Sequence, residues 1–252
     1  MSGAGATRET GAVHDAAAAR DPRTARGIGM LRGALAVAGK DLRAELRSPA
    51  QAASLFVFAL LVVVVFHFAF DLTAAEFTTL GPGILWAAIL FTGVLALDRG
   101  FRVEREGGRL DGLRLAPMAP SALYFGKVVS VCTVMAAVEL VLVPLAAVLF
   151  NQPFGGWMAR LAPILLLNTI GFAAVGCLFA CITTQTRHGD LLLPVLLFPA
   201  SVPIALAAVR ATGHVLAGRP LDRFAHWIAL SGAYDLIFLA AAVLLFDHAL
   251  DD

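Results

Sequence analysis

The chain has 252 residues, of which 59% are hydrophobic and 15% charged, and its mean hydropathy is +0.82. A soluble domain is about 45–50% apolar and about 25% charged, so this composition excludes an ordinary soluble protein and points to a membrane-embedded chain. The net charge of +1 gives no global attraction to nucleic acid, and the three cysteines show no CxxC, CxxCH or Cys/His zinc spacing.

Residues 1–27 are rich in Ala, Gly, Thr and Arg and carry no apolar period, which predicts a disordered cytoplasmic tail. No apolar segment follows the basic residues at the distance a signal peptide requires. Residues 30–47 differ. Leu31, Leu35, Ala38, Leu42 and Leu46 share one narrow face at 100° per residue, while Arg32, Lys40, Arg43 and Arg47 gather opposite. This pattern predicts an amphipathic helix in the membrane interface, its basic side against lipid headgroups. Ser48-Pro49 ends it, because the residue before proline resists the α region.

Six apolar runs follow, at about 52–70, 83–97, 128–150, 161–184, 191–209 and 227–246. Each is near the roughly 20 residues that cross a bilayer as a helix. The fold class is therefore all-α, a polytopic membrane protein with six spans. Between them the sequence predicts a short acidic loop over 71–83 with a Gly-Pro-Gly turn, a tight polar turn over 185–190 and a longer polar loop over 210–226. With the N-terminus inside, fifteen Lys and Arg lie on the cytoplasmic side and four outside: Arg160, Arg210, Arg219 and Arg223. The count favours cytoplasmic termini.

Residues 98–127 form the only long polar passage between two apolar runs, with six basic and four acidic residues. Glu104 and Glu106 lead into Gly107-Gly108, and Pro117 and Pro120 close the far side. These breakers bracket a very short helix. Leu110 and Leu113 share its face, with Arg109, Asp111 and Arg114 around them. An apolar centre with a charged rim suits a cleft on a partner protein, and the segment is longer than a connection needs. The expected partner is a separate ATPase subunit. The chain itself offers no phosphate cradle. Gly126-Lys127 lacks both the leading glycine and the following Ser or Thr of a Walker A loop, and no catalytic constellation replaces it.

Four stretches resemble the cytochrome c maturation protein B family, the haem exporter B subunits: KDLRAELRSP from Lys40, FHFAFD from Phe66, the run from Gly81 to Pro117, and YFGK over Tyr124 to Lys127. The resemblance extends from about Lys40 to Phe246 and is most specific up to Lys127. It implies an ABC-2 type architecture, with an interfacial N-terminal helix, six spans and a cytoplasmic coupling helix between spans two and three. Carried over by position, residues 40–49 would be the interfacial elbow. Glu104, Glu106, Gly108, Leu110, Asp111, Leu113 and Pro117 would form the coupling segment. The implied partners are an ABC ATPase that binds the ATP, a tryptophan-rich haem-handling membrane protein, a small single-span protein and a second copy of this chain. The implied role is to couple ATP hydrolysis to release of a haem-loaded chaperone, or to haem export, with haem as cargo rather than cofactor. The residues alone leave open an export permease for a lipid, drug or glycan, a gradient-driven transporter, and a membrane scaffold.

The residues themselves show no haem loop, since Trp86, Trp157 and Trp227 are isolated and the six histidines form no axial pair on one element. No metal site is expected. His67, near the outer end of the first span, is expected to bond to a neighbouring helix. Glu139, Asn168 and Asp235 are the polar residues inside spans. A carboxylate at a helix centre costs about 2.5–3.5 kcal/mol on insertion scales, so such groups face a bundle interior or a wet cavity. Glu139 and Asp235 are expected to pair with each other, to be protonated, or to accept from Asn168 or Tyr234, and to help hold alternative packings of the bundle. Pro194, Pro199 and Pro203 are expected to kink the fifth span, and Ala173, Cys177 and Cys181 to give a face for close helix contact.

Overall fold

The computed structural model describes residues 22–106, 120–152, 154–183 and 189–248. The described residues form seven α-helices and no strand: α1 (Pro22–Leu46), α2 (Pro49–Phe70), α3 (Ala74–Glu106), α4 (Pro120–Leu149), α5 (Gly156–Thr183), α6 (Gly189–Leu216) and α7 (Ala225–His248), with a 3-10 turn at Leu221–Arg223 before α7. Helices α2 to α7 are each long and apolar enough to cross a membrane. The six expected spans are therefore present, and the first, Ala52–Phe70, has the expected bounds.

Burial sorts the spans into centre and periphery. Two thirds of the α5 span is buried inside the protein, against 17% of the α2 span. Helix α5 is thus the hub, packed on α4, α6 and α7, and its segment from Gly171 to Leu178 is buried without interruption. Small residues make this possible: Gly171, Ala173, Ala174, Gly176 and Cys177 let neighbouring backbones approach. Cys181, expected on the same face, is only partly buried.

Several boundaries differ from the sequence reading. Helix α1 begins at Pro22, inside the expected tail, and ends at Leu46 just before the Ser48-Pro49 break; Pro49 then opens α2 as its first helical residue. The acidic loop is shorter than expected. Helix α3 starts at Ala74 and runs straight through Gly81-Pro82-Gly83. Thr73 and Glu76 explain this start. The Thr73 backbone N–H donates to Glu76 Oε2 at 2.9 Å, and the Glu76 N–H donates to Thr73 Oγ1 at 3.3 Å. That reciprocal capping box satisfies two N-terminal donors and opens the helix ahead of the glycines. Trp86 then fixes α3 to α6, its Nε1 donating to Thr212 Oγ1 at 2.8 Å in a buried contact.

The longer polar loop expected over 210–226 is mostly helical. Helix α6 continues to Leu216, and Gly218, at φ +67°, turns the chain. Its three prolines do not end α6. Hydroxyls of Ser201 and Tyr234 donate to the Leu197 and Ala200 carbonyls, at 2.7 and 2.9 Å, beside Pro199 and Pro203. A proline at position i removes the bond to the carbonyl at i−4, which for Pro199 and Pro203 is that of Val195 and Pro199, so these hydroxyls are additional donors on the same turns. At the end of the bundle away from residues 107–119, Arg160 donates to the carbonyl of Arg219. The third and fifth connections therefore share that end, as the alternation of six spans requires.

Candidate functional site

The expected docking residues divide between two regions. The backbones of Glu104 and Glu106 belong to the last turn of α3. Gly108, Arg109, Leu110, Asp111, Leu113, Arg114 and Pro117 lie outside the described residues. What the structure describes is the frame around them, the C-terminal end of α3, the N-terminal end of α4 and helix α1.

That frame is built by the Tyr124–Lys127 motif, one residue at a time. Tyr124 is buried, and its hydroxyl donates to the Ala174 carbonyl of α5 at 2.9 Å. Gly126 faces α1. A Cβ there would lie 2.6 Å from Val37 Cβ and 2.7 Å from the Ala34 carbonyl oxygen, so only glycine allows the two helices to approach this closely. Lys127 is buried, and its Nζ meets Asp41 Oδ2 of α1 at 2.8 Å. The same ammonium donates to the Gly100 carbonyl at 3.3 Å and lies 5.2 Å from the centre of the Phe101 ring. Lys40 reaches Asp41 Oδ1 at 3.2 Å from the other side. Lys127 thus ties α1, α3 and α4 together near the C-terminal end of α3 and the N-terminal end of α4. Arg99 adds the start of α2, its Nη2 donating to Ser54 Oγ at 2.5 Å.

The interfacial residues are distributed differently from the sequence reading. Ala34, Val37 and Ala38 form the buried strip of α1 against α4. Leu31, Leu35 and Leu46 are 63, 57 and 79% exposed, facing away from the bundle. Leu42 is partly buried, and Lys40, Arg43 and Arg47 are exposed. Ala38, expected on the leucine face, is instead a protein contact. The alanine-valine strip lies at i, i+3, i+4 spacing and was missed because leucines dominate a helical projection by size.

The intramembrane polar residues occupy the middle of the bundle but do not form the expected pairs. Thr169 Oγ1 donates to Glu139 Oε1 at 2.5 Å, joining α5 to α4. Asn168 donates to the Ile164 carbonyl of its own helix and accepts from Ser231 Oγ at 2.9 Å, joining α5 to α7. The Tyr234 hydroxyl is directed to α6 rather than to Asp235. Asp235 packs against Gly171, where an added Cβ would lie 2.0 Å from its Oδ1, and that oxygen is buried without a hydrogen-bond partner. Neither Asn168 nor Tyr234 bonds a carboxylate: Glu139 accepts from Thr169 instead, and Asn168 is paired with Ser231, two short hydroxyl side chains that gave no periodic signal. His67 packs edge-on against Phe150 at 5.0 Å, and its buried Nδ1 has no hydrogen-bond partner, so the expected bond to a neighbouring helix is absent at that atom.

Thr169→Val keeps the side-chain shape and removes the donor. It is expected to cost about 1–3 kcal/mol, the penalty for a buried acceptor left unpaired. Thr169→Ser should retain the native melting temperature in detergent, and equal melting temperatures for the two variants would refute the bond's contribution.

Among the described residues no cluster of His, Cys, Asp and Glu could hold a metal ion. Comparison with known proteins gives a consistent set. The heme exporter protein B of Pseudomonas aeruginosa is 28% identical, with 81% of this chain and 91% of the relative aligned. That of Bradyrhizobium diazoefficiens is 30% identical over 84% of this chain and 96% of the relative. That of Escherichia coli K12 is 30% identical over 77% of this chain and 86% of the relative. The family model described as CcmB protein matches residues 32–251, so the matched region takes in α1 from its second half, all six spans and the 107–119 segment. The chain belongs to the CcmB protein family.

Proposed function

We propose that this chain is the membrane subunit of an ABC-type haem exporter complex of cytochrome c biogenesis. It couples ATP hydrolysis in a separate ATPase subunit to release of a haem-loaded chaperone or to haem export. The observation that carries this reading is the family match across all six spans, combined with a charged stretch that lies in the chain between α3 and α4, whose facing ends are joined to α1 by the Lys127–Asp41 clamp. A push on residues 104–117 would reach α1 and α4 through that clamp, and α5 through Tyr124. The ATP and its hydrolysis belong to the partner, and haem is cargo. The further partners on this reading are a tryptophan-rich haem-handling membrane protein, a small single-span protein and a second copy of this chain. Orientation follows the positive-inside count, with the N-terminus cytoplasmic, the protein in the inner membrane, and the exposed leucines of α1 in lipid.

Leu110→Asp with Leu113→Asp is expected to abolish retention of the ATPase in a mild-detergent pull-down from the native host, while the chain still elutes as a folded species. Retained ATPase would remove the docking role of the segment. Capture of an ATPase without any haem-handling protein would redirect the reading to an exporter of another substrate.

A further inference from the structure

A cavity of about 290 Å³ lies at the clamp, between α1, α2, α3 and α4. Its polar wall holds Lys40, Asp41, Glu45, Arg99 and Lys127, so both signs of charge face one small space. Glu45 is conspicuous there, since its Oε1 is buried and has no hydrogen-bond partner. A buried carboxylate oxygen without a donor is costly, and a ligand that brings a donor removes that cost.

A second observation indicates what the ligand carries. The apolar side of the cavity includes Leu55 and Val134. One helical turn further into the membrane, Ala59 and Val138 begin a second groove of about 120 Å³ between α2 and α4. Its lining is wholly aliphatic and aromatic, and includes Phe56, Leu60, Val141 and Leu142. Polar cavity and apolar groove therefore follow one another along the same pair of helices, charged at the membrane interface and apolar towards its centre.

We propose that this pair of cavities is a binding site for one phosphatidylethanolamine molecule. Arg99 and Lys40 donate to its phosphate, Lys127 adds charge, Glu45 accepts from the headgroup ammonium, and an acyl chain fills the groove between α2 and α4. The ammonium is what selects this headgroup, because among the described residues Glu45 is the cavity's polar group that lacks a hydrogen-bond partner at a buried atom. The bound lipid packs against α1 to α4 at once and braces the clamp. The site requires only a membrane-embedded chain and does not depend on haem handling, so its failure would leave the proposed function standing.

The test is native mass spectrometry of the full chain, purified with the subunits it retains and exchanged into nanodiscs of equal phosphatidylethanolamine and phosphatidylglycerol. The wild type is expected to leave the disc carrying one phosphatidylethanolamine per chain. Glu45→Gln should lower that occupancy about tenfold relative to phosphatidylglycerol, the size of one charge-assisted hydrogen bond. Val141→Trp fills the groove from a position already 53% exposed, so it should fold normally and lose both lipids equally. Three results would overturn the proposal: no retained lipid on the wild type, retention of phosphatidylglycerol in preference, or undiminished phosphatidylethanolamine on Glu45→Gln.

Discussion

Lys127→Met is expected to destabilise the protein by about 3–5 kcal/mol, the cost of leaving one member of a buried ion pair alone. The buried ammonium is joined to Asp41 at 2.8 Å, and the Asp41 side chain is itself only 17% exposed. Removing the cation leaves that carboxylate with Lys40, whose own ammonium is half in water and compensates only in part. The loss should appear as a lower melting temperature in detergent and as faster tryptic cleavage after Lys40 and Arg43, once α1 lifts from α4. Adding Asp41→Leu should recover most of the stability, because replacing both partners of a buried pair with apolar residues is often neutral. That double variant separates holding from signalling. If it melts like the wild type yet supports less cytochrome c formation, the clamp also transmits. If Lys127→Met alone melts unchanged, the ion pair does not hold α1.

Gly126→Val is expected to release the same helix by a different physical route. Gly-to-Ala substitution inside a helix usually gains about 1 kcal/mol of propensity. Here the added carbon would meet the Ala34 carbonyl oxygen at 2.7 Å, a backbone atom that cannot rotate away. Overpacking of this kind costs about 1–3 kcal/mol, and valine adds two further methyl groups to the clash. An Ala38→Cys probe, buried in the native contact, should become labelled by a maleimide only when Gly126 is replaced. Gly232→Ala is the control, since an added Cβ there meets nothing within 4 Å. Labelling that is equally slow with and without Gly126→Val would mean that α1 does not need the glycine.

Some of the fold could be read from short range alone. The six spans follow from run length, and the break between α1 and α2 follows from Ser48-Pro49, because both signals lie within one stretch of backbone. The early start of α3 was legible too, in the T-x-x-E spacing of Thr73 and Glu76, but the Gly-Pro-Gly that follows is the stronger turn signal in water. Inside a span the proline is tolerated, since the alternative to helix is unbonded backbone in lipid. The same reason carries α6 through three prolines and shortens the polar loop after it.

By itself, then, the sequence determined that this is an all-helical membrane chain with six spans, an amphipathic leading helix and one charged segment between the second and third spans, because composition and periodicity are properties of contiguous residues. Only the tertiary structure decided which polar groups meet. Lys127 was read as part of an incomplete phosphate loop and is the buried partner of Asp41; Glu139 is held by Thr169, and Asn168 by Ser231. Periodicity says which face of a helix is apolar, but which groups satisfy a buried charge depends on how separate helices pack, and that is set by their rotation and depth against one another.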